Sequence, residues 1–136
     1  QIIKKDSDYF VVAPAGLFFI ETKNTSGRYS ALNDNLLQDG KILENDYLKE
    51  SFANVKYWQE KLKNHFQGKP FVKVFGRLIL LNTRWVDDKA MSLAKRYNIR
   101  ICINDYILKN LQDYGSKKRL NPEEQERVYD FIESQK

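Results

Sequence analysis

The sequence predicts an α/β domain of the α+β kind, a mixed central sheet built on an antiparallel core hairpin and flanked by helices. Three observations carry this. Two apolar runs, Tyr9-Phe10-Val11-Val12 and Leu17-Phe18-Phe19-Ile20, are separated by the turn sequence Ala13-Pro14-Ala15-Gly16, the pattern of a β-hairpin. From residue 46 the hydrophobic spacing lengthens to three and four: Leu48, Phe52, Val55, Trp58, Leu62 and Phe66 form the stripe of a long amphipathic helix. Later apolar runs at 71–81 and 99–103 alternate with helical sequence, and strands alternating with helices imply a layered sheet.

The elements follow in order. Both faces of the hairpin strands are apolar, so the sheet is expected to be covered on both sides. Asn24-Thr25-Ser26-Gly27 leads into a third strand, Arg28 to Leu32, and then a turn-rich stretch holds Asn33-Asp34-Asn35 and Asp39-Gly40. The long helix spans 46–66 and is stopped by Gly68 and Pro70. Residues 88–97 read as helical, and Asn104 can cap a helix running to Gly115. A last helix begins at Asn121-Pro122-Glu123-Glu124, with a capping residue, proline at the first helical position and glutamate at the third. The expected order is strand, strand, strand, helix, strand, helix, strand, helix, helix.

Composition narrows the chemistry. A chain of 136 residues is the size of one domain, expected to span 1–136. With 42% hydrophobic and 30% charged residues, it has neither a disordered nor a membrane composition. No apolar run approaches the roughly 20 residues that span a bilayer, and the first eight residues carry no secretory pattern. No membrane partner is expected, and the expected compartment is the cytoplasm. The sequence starts without Met and is strand-like almost at once. An upstream segment is therefore expected, and it or further domains of a longer protein are expected partners.

Cys102 stands alone in the apolar run Ile101-Cys102-Ile103 and His65 is the single histidine. That excludes disulfide frameworks, thiolate clusters and multi-histidine zinc sites, and argues against a histidine-based triad. A metal here should be a hard ion held by carboxylates. The formal charge is +5, but residues 61–100 hold ten Lys or Arg against two acids, Asp87 and Asp88. Such an excess suits a polyphosphate partner, and equally an ordinary solvated face.

The chemically informative residues lie at the ends of the hairpin strands. Glu21 and Lys23 are two apart on one strand and share a face, while Asp8 begins the strand paired with it. A two-residue loop at Pro14-Ala15 sets Ala13 opposite Gly16, Val12 opposite Leu17 and Asp8 opposite Glu21. A type I turn with a glycine bulge at Gly16 would instead shift the register by one. Two carboxylates and an amine meeting at one strand end can hold Mg²⁺ or Mn²⁺ beside a phosphate. The commonplace reading of an acid followed two residues later by a lysine is a cross-strand salt bridge.

The whole segment from Asp8 to Asn24, with its Pro-x-Gly turn, apolar strand and Glu21-Thr22-Lys23 ending, followed by Ser26-Gly27, resembles the core motif of the nuclease-related domain (NERD) family of the PD-(D/E)XK superfamily. The resemblance implies a restriction-endonuclease-like fold and a nuclease-type activity with Mg²⁺ or Mn²⁺. It implies Asp8 and Glu21 as metal-binding acids, Lys23 as the catalytic lysine and the Thr22 carbonyl as a further metal ligand. Tyr9 stands where the family commonly has His, and no clear match to the family's helical Gln falls around Lys49 and Glu50. An acid from an upstream helix, often part of such sites, would lie before residue 1.

Lesser signals admit both an ordinary and a functional reading. Lys49, Lys56 and Lys63 recur every seven residues along one side of the long helix, either a solvated face or a phosphate-contacting ridge. Arg84 and Trp85 follow a strand, where a loop aromatic beside an arginine can stack on bases. Trp58 reads as core and His65 as a surface residue. The leading expectation is a Mg²⁺-dependent phosphodiesterase acting on DNA, or on RNA. The alternatives are an inactive nucleic-acid-binding module of a larger DNA-processing or defence protein, and a purely structural interaction domain.

Overall fold

The computed structural model describes residues 1–6, 8–103 and 119–135. Its elements are β1 (Ile2–Lys5), β2 (Asp8–Ala13), β3 (Gly16–Asn24), β4 (Arg28–Leu32), β5 (Asn35–Gln38), β6 (Lys41–Ile42), α1 (Tyr47–Phe66), β7 (Val74–Leu81), β8 (Trp85–Val86), α2 (Asp88–Arg96), β9 (Ile99–Ile103) and α3 (Pro122–Ser134). A five-stranded sheet runs β1-β2-β3-β7-β9, and a smaller four-stranded sheet runs β6-β5-β4-β8. In the large sheet β1, β2 and β3 pair antiparallel while β3, β7 and β9 pair parallel. This is the mixed, helix-flanked sheet of a restriction-endonuclease-like α+β fold. The helix expected at 104–115 lies outside the described residues.

The hairpin turns through Pro14 and Ala15, with Ala13 facing Gly16, and no bulge shifts the ladder. Gly16 is required there. Its φ of 148° suits glycine, and a Cβ would run into the carbonyl of Lys73, which accepts a hydrogen bond from the Leu17 amide at 2.9 Å. The tight turn thus fixes both the β2 register and the start of the β7 pairing.

Alternation divides the hairpin between two faces. Phe10, Val12, Leu17 and Phe19 join the larger core together with Leu48 of α1, Leu93 of α2 and Val128 of α3. Phe18 and Ile20 pack on the opposite face with Phe75, Ile79 and Cys102. Trp58 is partly buried and packs against the larger core, its ring 5.0 Å from that of Phe10.

Four short strands exceed the expected order. β1 has Ile3 as its one buried residue, too few apolar positions to signal a strand. Its lysines Lys4 and Lys5 suit a sheet edge, where charge deters pairing with other chains. β5, β6 and β8 build the small sheet from the turn-rich segments, around the buried side chains of Tyr29 and Leu36. The strand expected at 71–81 begins only at Val74.

Helix α1 is tethered at its start. Asp46 caps it, accepting from the amides of Leu48 and Lys49, and its second oxygen accepts from the Leu36 amide of β5 at 3.1 Å. At α3 the capping box of Asn121 and Glu124 forms as the sequence predicts. Among the described residues no helix is long and apolar enough to cross a membrane.

Candidate active site

Asp8 pairs directly with Glu21 across the β2–β3 ladder. Both side chains lie on the face that α1 covers, since alternation puts Asp8 with Phe10 and Val12, and Glu21 with Leu17 and Phe19. On its other side Glu21 pairs with Leu78 of β7. Only 7% of Glu21 is exposed. Lys23, two residues on, shares this face, and the sequence-predicted trio stands at one end of the hairpin.

Helix α1 supplies what sequence reasoning missed. Its first two turns lie over the trio: the Ser51 hydroxyl donates to Oε2 of Glu21 at 2.6 Å, and the Glu50 carboxylate pairs with Lys23 Nζ at 3.4 Å. The Lys23 ammonium also sits 5.0 Å from the centre of the Tyr47 ring, a cation–π distance. Among the described residues no salt bridge joins Lys23 to Asp8 or Glu21. The commonplace cross-strand salt bridge is therefore absent, and the lysine turns to the helix instead.

Electrostatics record the crowding. Burial pushes the Asp8 carboxyl above its ordinary value, opposed by Lys23 and reinforced by Asp6 and Glu50. Burial likewise raises Glu21, opposed by the Ser51 hydrogen bond and Lys23, with Asp8 and Glu50 adding repulsion. The site favours protons chiefly because burial disfavours the charged carboxylates, with the neighbouring acids adding repulsion.

A hard dication suits that donor set. Among the described residues no group of three or more His, Cys, Asp and Glu side chains converges on one point, so a closed protein cage is not present. Mg²⁺ does not require one, being commonly held by one or two carboxylates with water and phosphate completing the shell. The Leu17 amide bonds toward β7, so by alternation the Thr22 backbone carbonyl is directed to the β2 side, one residue past the Asp8–Glu21 pair. Asp8, Glu21 and that carbonyl are the oxygens that could hold an ion.

The predicted nucleic-acid contacts are dispersed. Lys49, Lys56 and Lys63 are all exposed on α1, with Lys49 Nζ 3.4 Å from Asn35 Oδ1. Lys56 lines a cleft of about 660 Å³ between α1, α2, β7 and β9, together with Lys73 and Lys95. Arg84 is exposed, and Trp85 is 56% exposed on β8, paired in register with Arg28. The basic count over 61–100 overstates the available surface. Arg77 is buried, its guanidinium 5.2 Å from the Phe18 ring, and Arg96 pairs with Asp34 at 3.4 Å. His65 is exposed and stacks on Phe131 at 4.1 Å.

A mixed sheet whose core hairpin ends in Asp, Glu and Lys defines the nuclease-related class within the PD-(D/E)XK superfamily. The chain belongs to the nuclease-related domain (NERD) family, whose model matches residues 2–81. That match spans β1 to β7 and includes Asp8, Glu21, Lys23, Glu50 and Ser51. No curated protein and no solved structure matches the chain.

Proposed function

We propose that the domain is a Mg²⁺- or Mn²⁺-dependent phosphodiesterase that hydrolyses DNA, with Asp8, Glu21 and the Thr22 carbonyl as the ion's protein ligands and Lys23 as the catalytic cation. The observation that carries this is the direct pairing of Asp8 with Glu21 on a buried face beside Lys23. Two facing carboxylates, both raised by burial and Glu21 further by the charge of Asp8, are costly for the fold, and a dication offsets that cost.

When bound, such an ion lowers the pKa of its water and neutralises charge on a phosphate. The chain's own residues do the rest. Asp8 and Glu21 present oxygens from two adjacent strands, so the ladder fixes their separation. Lys23 presents an ammonium to the phosphate oxygens. Its pair with Glu50 is partly solvated, with side chains 30% and 43% exposed, and such a pair is worth only about 0–1 kcal/mol, so the amine can exchange partners. The Lys49, Lys56 and Lys63 ridge continues away from the site along α1 and supplies contacts to the backbone of the polymer, as do Arg84 and Trp85 from the β8 side.

Plasmid nicking with Mg²⁺ and with Mn²⁺ tests the reading. Metal-dependent cleavage that disappears in Glu21→Ala supports it. Salt-sensitive DNA binding without cleavage by protein that binds the ion would replace it with the binding-module reading. An RNA substrate run in parallel settles the polymer.

A further inference from the structure

We propose that Ser51 is a positioning residue for Glu21: its hydroxyl commits one carboxylate oxygen and so orients the other toward an ion shared with Asp8. The inference rests on the metal-dependent reading above.

Ser51 is fully buried and lies 30 residues along the chain from Glu21, yet its Oγ is 2.6 Å from Glu21 Oε2. An ionised carboxylate only accepts, so the hydroxyl is the donor, and the separation is that of a short, charge-assisted O–H···O⁻ bond. Position 51 is three residues after Leu48 and four before Val55, both buried in the larger core. An apolar side chain would serve packing there at least as well. Serine is also a mediocre residue for a helix interior, where its hydroxyl commonly turns back to the carbonyl four residues earlier. Here the hydroxyl reaches across to β3 instead.

The bond addresses a particular freedom. The terminal torsion of glutamate is broad and two-fold, so burial alone does not orient the carboxylate plane. Fixing Oε2 on Ser51 fixes that plane, and Oε1 remains for an ion. The anchor is itself immobilised: α1 is tied at its start by Asp46 to the Leu36 amide, and the next residue before Ser51, Glu50, holds Lys23. Adjacent residues of one helix thus engage the two working side chains of β3. Hydrogen bonds of this kind to metal ligands, when lost, cost about 10–100-fold in metal affinity.

Mn²⁺ titration of chelator-treated protein, above the carboxylate titration range and followed by the electron paramagnetic resonance of free Mn²⁺, reads the effect without any turnover. Ser51→Ala should weaken Mn²⁺ binding about tenfold or more. Ser51→Cys, near in size but a weak donor, should weaken it in the same direction, and it decides the matter where the alanine variant fails to fold. Ser51→Thr, which keeps the hydroxyl, should restore affinity to near that of the unaltered chain. If Ala and Cys variants bind Mn²⁺ as tightly as the unaltered chain while Glu21→Gln loses it, the positioning role is overturned and the metal site stands. If the unaltered chain shows no saturable binding, both fall together.

Discussion

Asp8 and Glu21 are cross-strand partners, with Cα positions in direct register on the helix-covered face of the sheet. Side chains so placed have Cβ atoms about 4.5–5.5 Å apart, and like charges at that separation oppose folding. Of the Glu21 oxygens, Oε2 is occupied by Ser51, and the ammonium of Lys23 is drawn off toward Glu50.

The first expected outcome is a pH dependence opposite to that of a stabilising ion pair. Burial raises both acids in the folded state, so the folded protein binds their protons more tightly than the unfolded chain does. Their contribution is fully favourable below the ordinary carboxylate range and is lost as pH rises through the elevated folded values. In metal-free protein, Glu21→Gln removes one such group and keeps an acceptor for Ser51. It should therefore melt higher than the unaltered chain at neutral pH, with the advantage vanishing in acid. Melting curves across pH check this; a lower melting temperature for Glu21→Gln at neutral pH would show that the carboxylate stabilises the fold.

Much of this arrangement is legible in the sequence. A two-residue connection at Pro14-Ala15 suffices to place Asp8 opposite Glu21, because strand alternation leaves no freedom once the turn is set. The long helix and the capping box at Asn121 were equally readable from local chemistry. The partners on α1 were not, since Ser51 and Glu50 meet β3 through tertiary packing across 27 residues or more. One signal was present: Ser51 is a hydroxyl within the apolar stripe, where attention to the larger neighbour Phe52 conceals it. The small sheet escaped because its strands, four residues or shorter apart from β4, lie among turn residues and gain their order from Tyr29 and Leu36 in the core.

Removal of Lys23 separates ion binding from chemistry. Lys23→Ala leaves both acids in place, so Mn²⁺ should still raise the melting temperature by mass action, an effect of about 2.7 kcal/mol at a hundred times Kd. Cleavage should fall about 10²-fold or more, the scale for losing one charge-stabilising group. Asp8→Ala and Glu21→Ala should lose the Mn²⁺-induced shift along with cleavage. Equal cleavage by all of these variants would place the chemistry elsewhere.

The hairpin turn should prove more fragile than the site it positions. Gly16→Ala puts a side chain at a φ of 148° and against the Lys73 carbonyl, and both the backbone and the neighbouring chain resist. Each of these effects is of order 1–3 kcal/mol. Denaturant unfolding should show a loss of at least that size, whereas Gly40→Ala, with no heavy atom near the added Cβ, should cost only the strain of its φ of 81°. Similar losses at the two positions would mean that the contact with Lys73 contributes nothing to the cost.

The last expectation concerns the polymer. Each phosphate that a lysine neutralises releases counterion, so binding falls with log salt at a slope of about −0.9 per contact on duplex DNA. Lys49, Lys56 and Lys63 are exposed at seven-residue intervals on α1, which at a rise of about 1.5 Å per residue spaces them roughly 10 Å apart. That is a span of backbone rather than a single phosphate. Replacing all three by Gln should weaken binding at low salt and flatten the slope by up to about three contacts' worth, while the melting temperature stays within the small range usual for surface changes. Trp85→Ala provides the contrast. An exposed aromatic at β8 that stacks on bases should lower affinity for single strands without altering the salt slope, since stacking releases no counterion. Fluorescence anisotropy with single- and double-stranded oligonucleotides over a salt series measures both. An unchanged slope in the triple variant would return the lysine ridge to an ordinary solvated helix face, and unchanged single-strand affinity in Trp85→Ala would do the same for β8.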